Sequence, residues 1–79
     1  MNIKLFATLK DRAGQRSIDV PLTEATRVDA LIEQVGRSHP ALADALPSCV
    51  VAVNRQFAEP ETTVNVGDEV ALFPPVSGG

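Results

Sequence analysis

Residues 26–40, TRVDALIEQVGRSHP, decide the fold. Apolar residues recur in this stretch at i, i+3, i+4 and i+7, the spacing of one helix face: Val28, Leu31, Ile32 and Val35. Thr26 is the predicted N-cap, and Asp29 places negative charge in the first turn, where the helix dipole stabilises it. Pro40 lacks an amide hydrogen and restricts the residue before it, so the helix is predicted to end by Ser38.

The residues before this helix alternate between apolar and polar, as in strands with one face on a core. The first run is residues 2–10, with these apolar residues on the inner parity: Ile3, Leu5, Ala7 and Leu9. The second run is residues 17–22. Residues 11–14 are polar and end in glycine, which predicts a turn and therefore a hairpin.

After the helix the chain returns to strands separated by turns. Asn54 tolerates a left-handed backbone, which favours a tight two-residue hairpin at this point. The predicted order is a helical turn at 41–46, a strand at 49–53, the hairpin turn at 54–55, a short strand at 56–57, a loop at 59–63, a turn at 65–68 and the last strand at 69–73.

A hairpin, one crossing helix and a return of strands predict a mixed sheet of about five strands with the main helix packed on one face. This is an α+β architecture, the β-grasp arrangement of ubiquitin. We expect residues 1–75 to form that single domain and residues 76–79 to be a flexible C-terminal tail.

Length and composition exclude several classes of protein. A chain of 79 residues that is 44% apolar has room for one small core but not for a deep catalytic cleft as well. A net charge of −3 argues against a nucleic-acid or anionic-membrane surface, and the single cysteine excludes an internal disulfide or a cysteine-based metal site. With no signal-peptide pattern and no apolar run near the ~20 residues that span a bilayer, we expect a cytoplasmic protein.

The residues that most often carry chemistry have structural explanations here. His39 precedes Pro40 at a helix end, and Cys49 begins an apolar strand, where a free cysteine usually packs without reacting. The paired acids 59/61 and 68/69 lie beside turns, which indicates a solvated surface rather than a hydrolytic pair. We therefore expect neither a catalytic group nor a metal site among these side chains.

The three aromatic residues of the chain have a different pattern. Phe6 and Phe73 fall on the outer parity of the first and last strands, which are neighbours in a β-grasp sheet. Phe57, in the short strand, can extend the same patch. Exposed aromatic residues that converge on one face usually mark a partner surface, and we predict one here.

The end of the chain has a second unusual pattern. Pro74 and Pro75 end strand pairing and project the chain away from the sheet. After Val76 and Ser77 come two glycines, which have no side chains and can thread a narrow tunnel. Such a tail is suited to present its terminal carboxylate to an active site in another protein, where joining to AMP would make it reactive.

The last thirteen residues, GDEVALFPPVSGG, together with the opening Ile3–Ala7 and the hairpin at Val53 and Asn54, resemble the MoaD/ThiS family of sulfur carriers. Within that family they are most similar to the small subunits of molybdopterin synthase. The resemblance extends over the whole chain in length and in the order of its elements.

The resemblance implies a mechanism in which the carboxylate of Gly79 is adenylated and then converted to a thiocarboxylate. The implied partners are a MoeB-type adenylating enzyme that uses MgATP, a persulfide sulfur donor and a MoaE-type large subunit, in a heterotetramer with two large subunits. Ser77 and Gly78 would insert into the large subunit, where sulfur is transferred to cyclic pyranopterin monophosphate. The implied interface comprises Phe6, Phe57, Phe73, Pro74 and Pro75, with no cofactor bound by the carrier itself.

Two alternatives remain open from the sequence. The same carrier chemistry can serve another product, such as thiazole, cysteine or thiolated tRNA. A ubiquitin-like binding module that is never activated is the alternative from a different class, although such a module has no need of a terminal glycine carboxylate.

Overall fold

The computed structural model describes residues 1–75, so the expected tail at 76–79 lies outside the described residues. The strands are β1 (Asn2–Leu5), β2 (Ser17–Asp19), β3 (Thr26–Arg27), β4 (Val50–Val53), β5 (Gln56–Phe57), β6 (Thr63–Val64) and β7 (Val70–Phe73). The helices are α1 (Ala7–Ala13) and α2 (Val28–Ser38), and two short 3₁₀ helices cover Pro40–Leu42 and Leu46–Ser48.

Five strands form the main sheet in the order β2-β1-β7-β4-β5. The first and last strands, β1 and β7, pair in parallel at its centre, with Leu5 opposite Leu72. The pairs on either side are antiparallel. Because β1 and β7 are neighbours, residues from the two ends of the chain meet on the same face of the sheet.

Helix α2 packs on one face of the main sheet and encloses the core between helix and sheet. Its residues Val28, Leu31 and Val35 are buried, as the helical spacing predicts. They meet the inward-facing residues of the central strands, which are Ile3, Leu5, Val51, Val53, Val70 and Leu72. The structure therefore confirms the predicted β-grasp fold. Among residues 1–75 no helix is long and apolar enough to cross a bilayer.

The predicted first strand is wrong beyond Leu5. Residues from Ala7 onward form helix α1, because Ala7 takes a left-handed backbone (φ 52°) that turns the chain out of the strand. Leu9 is still buried, but from a helix. Gly14, at φ 71°, caps the helix where a plain turn was expected. The hairpin itself is confirmed, since Ile3 pairs antiparallel with Ile18, although a helix joins its strands.

The predicted start of α2 and the loop at 59–63 also need correction. Thr26 does not cap the helix, because it pairs with Val64 in a second, two-stranded sheet of β3 and β6. The helix is capped at Arg27 without a side-chain hydrogen bond, and it ends at Ser38 as predicted. Two-residue strands have no periodicity of their own, so this pairing gives no sequence signal.

Two smaller elements differ from the prediction, and two predicted turns are confirmed. The second strand stops at Asp19 rather than residue 22, and the helical turn expected at 41–46 is replaced by the two 3₁₀ helices. Asn54 and Arg55 both have positive φ, 52° and 68°, as a tight type I′ hairpin requires. In the turn at 65–68, the amide of Asp68 donates to the carbonyl of Asn65 at 3.0 Å.

Candidate functional site

The side chains of Phe6 and Phe73 stack on the face of the sheet away from α2. Their ring centroids are 4.6 Å apart and their planes differ by 9°. In β7, Val70 and Leu72 point into the core, so Ala71 and Phe73 face outward. The parity prediction that brought these two rings together is confirmed.

Backbone hydrogen bonds hold Phe6 beside the end of β7. The amide of Phe6 donates to the carbonyl of Leu72 at 3.2 Å, and its carbonyl accepts from the amide of Leu9 at the same distance. Phe6 is thus tied both to the last strand and to helix α1. The left-handed turn at Ala7 follows at once, so Phe6 lies directly after β1, at the N-cap of α1.

Phe57 belongs to the same surface. It pairs with Ala52, which pairs with Ala71, which pairs with Lys4, so one row of residues runs across four strands. The two alanines leave a shallow hollow of about 350 Å³ that all three phenylalanines line. Phe57 is 84% exposed and Phe6 is 42% exposed. This group of Phe6, Phe57 and Phe73 over the alanine floor is called the aromatic face below.

Polar groups border the aromatic face on its β5 side. The amide of Asn54 donates to the carbonyl of Glu69 at 2.7 Å, and its Oδ1 accepts from the amide of Glu69 at 2.9 Å. Arg55 forms an ion pair with Glu69 at 3.7 Å, although its side chain is 87% exposed. The sequence assigned no role to Arg55, and hairpin register alone identifies it as a neighbour of Phe57.

The remaining predicted site residues follow the aromatic face along the chain. Pro74 is half-buried and Pro75 is exposed, directly after Phe73. Ser77, Gly78 and Gly79 lie outside the residues that the structure describes, so their predicted roles stay predictions.

The cysteine and the histidine are separate from the aromatic face. Cys49 is half-buried, and burial raises the pKa of its thiol, which keeps it protonated and weakly nucleophilic near neutral pH. His39 caps the end of α2, where its amide donates to the carbonyl of Val35 at 2.8 Å. Within residues 1–75, no group of three or more histidine, cysteine or acidic residues could hold a metal ion.

Comparison with known proteins gives consistent results. Residues 3–79 match the ThiS family. The chain is 35% identical over 83 residues to the molybdopterin synthase sulfur carrier subunit of Chlamydomonas reinhardtii, covering 100% of each chain. It is 41% identical over 88 residues to small archaeal modifier protein 1 of Haloferax volcanii, again covering 100% of each. The crystal structure of that protein, SAMP1, superimposes with a TM-score of 0.84 at 34% identity, covering 100% of this chain and 98% of that one.

Proposed function

Because the chain belongs to the ThiS family, we propose that it is the small subunit of a molybdopterin synthase and carries sulfur on the carboxyl group of Gly79. The stack of Phe6 on Phe73 is the observation that supports this most, because it makes a docking surface where β7 leads into Pro74 and Pro75. A partner that binds this surface is next to the start of the tail. The similarity to the Chlamydomonas carrier subunit supports the choice of pathway.

The first proposed step is activation. An adenylating partner of the MoeB type uses MgATP to join AMP to the carboxylate of Gly79, with pyrophosphate as the leaving group. The terminal sulfur of a donor persulfide attacks the acyl carbon, and AMP leaves. This forms a carbon–sulfur bond and leaves Gly79 joined to the donor as an acyl disulfide. A thiol then cleaves the sulfur–sulfur bond that came from the persulfide, which leaves a thiocarboxylate on Gly79 and a disulfide on the donor side.

The second proposed step is transfer. Ser77 and Gly78 enter a large subunit of the MoaE type, where glycine permits close approach because it has no Cβ. The sulfur attacks a side-chain carbon of cyclic pyranopterin monophosphate, and an oxygen substituent of that carbon leaves. Water then hydrolyses the acyl–sulfur bond, which leaves the sulfur on the pterin and returns the carboxylate of Gly79. Catalytic groups come from the partners, and two carriers assemble with two large subunits.

The aromatic face is proposed to dock both partners in turn. Aromatic side chains are enriched in interface cores, where a few residues carry most of the binding energy, and Phe6, Phe57 and Phe73 form one cluster. Since the two partners would cover the same face, the carrier must leave one before it binds the other. We place the cycle in the cytoplasm, since a thiocarboxylate would be oxidised, like a thiol, in compartments that form disulfides.

The similarity to small archaeal modifier protein 1 favours a second candidate function. The same activated Gly79 could be joined to an amine of another protein, which would make this chain a protein modifier. Higher-mass conjugates of the chain in its source organism would distinguish this function from sulfur transfer.

The test of the proposed function is the intact mass of the chain after incubation with the adenylating enzyme, MgATP and a persulfide donor. We expect a species with one oxygen replaced by sulfur, and we expect it to disappear when ATP is omitted. Adding the large subunit and the pyranopterin precursor should then yield molybdopterin. A chain that keeps its unmodified mass throughout would overturn the proposal.

A further inference from the structure

A second hollow lies beside the aromatic face, between β1, α1 and the start of β2. Its volume is about 450 Å³, and Lys4, Lys10 and Arg16 line it together with Phe6. The other lining residues are neutral: Asn2, Leu5, Ala7 and Ser17. This surface, defined by Lys4, Lys10 and Arg16, is called the basic hollow.

Three different elements bring these cations together. Lys4 is on the outer face of β1, opposite Ser17 of β2. Arg16 directly precedes β2, and its carbonyl accepts from the amide of Leu5 at 2.8 Å, which fixes it beside β1. Lys10 is in the last turn of α1. The packing of these elements therefore gathers cations that are not adjacent in the sequence.

Charge is distributed unevenly along this chain. Residues 1–16 hold four of the seven basic residues but only one of the ten acidic residues. The whole chain nevertheless has a net charge of −3. The basic hollow is thus a local positive region on an acidic protein, and such asymmetry steers association with an oppositely charged surface.

Among residues 1–75, no carboxylate forms an ion pair with the cations of the basic hollow. The ion pairs found within the described part of the chain are Met1–Asp19, Arg27–Asp29 and Arg55–Glu69. Asp11 is the nearby acid, and it lines a neighbouring depression with Lys10 and Arg16. Three cations around one hollow repel one another, so carboxylates supplied by a partner would lower the free energy of the bound state.

The basic hollow and the hollow on the aromatic face share two lining residues, Phe6 and Lys4. A partner that covers the Phe6–Phe73 stack must therefore also lie over or beside the three cations. We propose that the large subunit of molybdopterin synthase presents acidic side chains to Lys4, Lys10 and Arg16 when it docks on the aromatic face. This inference rests on the proposed function and adds the charge of the docking surface.

The test is the double charge reversal Lys10→Glu/Arg16→Glu, which leaves the aromatic face intact. Its matched control is Arg27→Glu/Arg37→Glu, because both of those residues are exposed and lie at the two ends of α2. The two double variants have the same net charge. Association with the source organism's large subunit is followed by stopped-flow at low salt and at physiological salt.

We expect Lys10→Glu/Arg16→Glu to associate with the large subunit about tenfold more slowly than the unmodified chain at low salt. The difference should shrink at physiological salt, because salt screens the charges. The control should stay within about twofold of the unmodified chain, since its charges lie on the other face. Equal slowing of both variants, or no slowing of either, would overturn the proposal that the basic hollow meets acidic side chains of the large subunit, while leaving the proposed function intact. If the unmodified chain does not bind the large subunit, both proposals are wrong.

A milder pair of variants is used if Lys10→Glu/Arg16→Glu unfolds. The association rate of Lys10→Gln/Arg16→Gln is then compared with that of Arg27→Gln/Arg37→Gln by the same criteria.

Discussion

The rings of Phe6 and Phe73 lie parallel with their centroids 4.6 Å apart, although they come from opposite ends of the chain. The parallel pairing of β1 with β7 makes this contact possible, since Leu5 and Leu72 are opposite each other and the next residue of each strand faces outward. A stack on the surface contributes less to folding than a core contact does. We propose that it serves docking instead, because Phe73 directly precedes Pro74 and Pro75.

Replacing Phe73 by alanine should weaken partner binding and spare the fold. Truncating an aromatic anchor at an interface typically costs about 2 kcal/mol or more of binding free energy. The measurement is the dissociation constant for the large subunit, with thermal unfolding of the free domain alongside. Val66→Ala is the control, because Val66 is 57% exposed and does not line the aromatic face. Equal losses of binding in both variants would contradict a specific role for Phe73.

Replacing the preceding residue should have the reverse effect. Leu72 is fully buried, and truncating a buried leucine to alanine lowers the free energy of unfolding by about 2–5 kcal/mol. That is a large share of the stability of so small a domain. Denaturant unfolding of Leu72→Ala and Phe73→Ala side by side measures the difference. If Phe73→Ala is the less stable of the two, the assignment of inner and outer faces is wrong.

The stability of variants at Ala7 should depend on how well the new residue adopts the left-handed turn that follows Phe6. A β-branched residue at φ 52° is strained, so Ala7→Val should lower the free energy of unfolding by at least about 1 kcal/mol. Ala7→Gly removes the Cβ that causes the strain and should retain stability and partner binding. Because Ala7 is exposed, lost packing does not account for a difference between the two variants. Equal stability of Val and Gly at this position would contradict the strain.

Deleting Gly79 should abolish sulfur transfer without affecting docking. The aromatic face is upstream of the deletion, and a few anchor residues carry most of the binding energy of an interface, so binding to the large subunit should stay within about twofold. The chain would then stop short of both active sites. Adding one residue after Gly79 should also abolish transfer, because the reactive carboxylate is displaced. The assay is molybdopterin formation, with Cys49→Ser as the active control. Full activity of the truncated chain would contradict the carrier mechanism.

The Cys49 thiol should make stability depend on pH. Burial raises the pKa of this thiol above its ordinary value, so the unfolded chain loses the proton at a lower pH than the folded protein does. Its contribution to stability is complete below the ordinary thiol pKa and declines as pH rises through and above it. Denaturant unfolding at several pH values should therefore show a steeper alkaline loss for the unmodified chain than for Cys49→Ser. Identical pH profiles would indicate that the folded thiol titrates normally.

Periodicity predicted the core of this protein because burial follows it closely. Helical spacing alone predicts the burial of Val28, Leu31 and Val35. Alternation alone predicts the burial of Val70 and Leu72. Parity then placed Phe73 on the outer face and so found most of the candidate site. Each of these inferences depends on residues close together in sequence.

The errors come from local ambiguity and from distant pairing. Leu9 continues the alternation of Ile3 and Leu5, yet it is equally well placed on a short helix that begins after Phe6. Only the left-handed backbone of Ala7 decides between them, and alanine gives no signal for it. The basic hollow was missed for a different reason, since Lys4, Lys10 and Arg16 come together only once β1, α1 and β2 have packed.

The parallel pairing of β1 with β7 has a mechanical consequence. Force applied between Asn2, where β1 begins, and Phe73, where β7 ends, would pull these neighbouring strands past each other along their length. Their backbone hydrogen bonds would then be loaded together, in shear, instead of being unzipped one at a time. Tension on the chain beyond Phe73 while β1 is held at Asn2 therefore loads all of these hydrogen bonds at once.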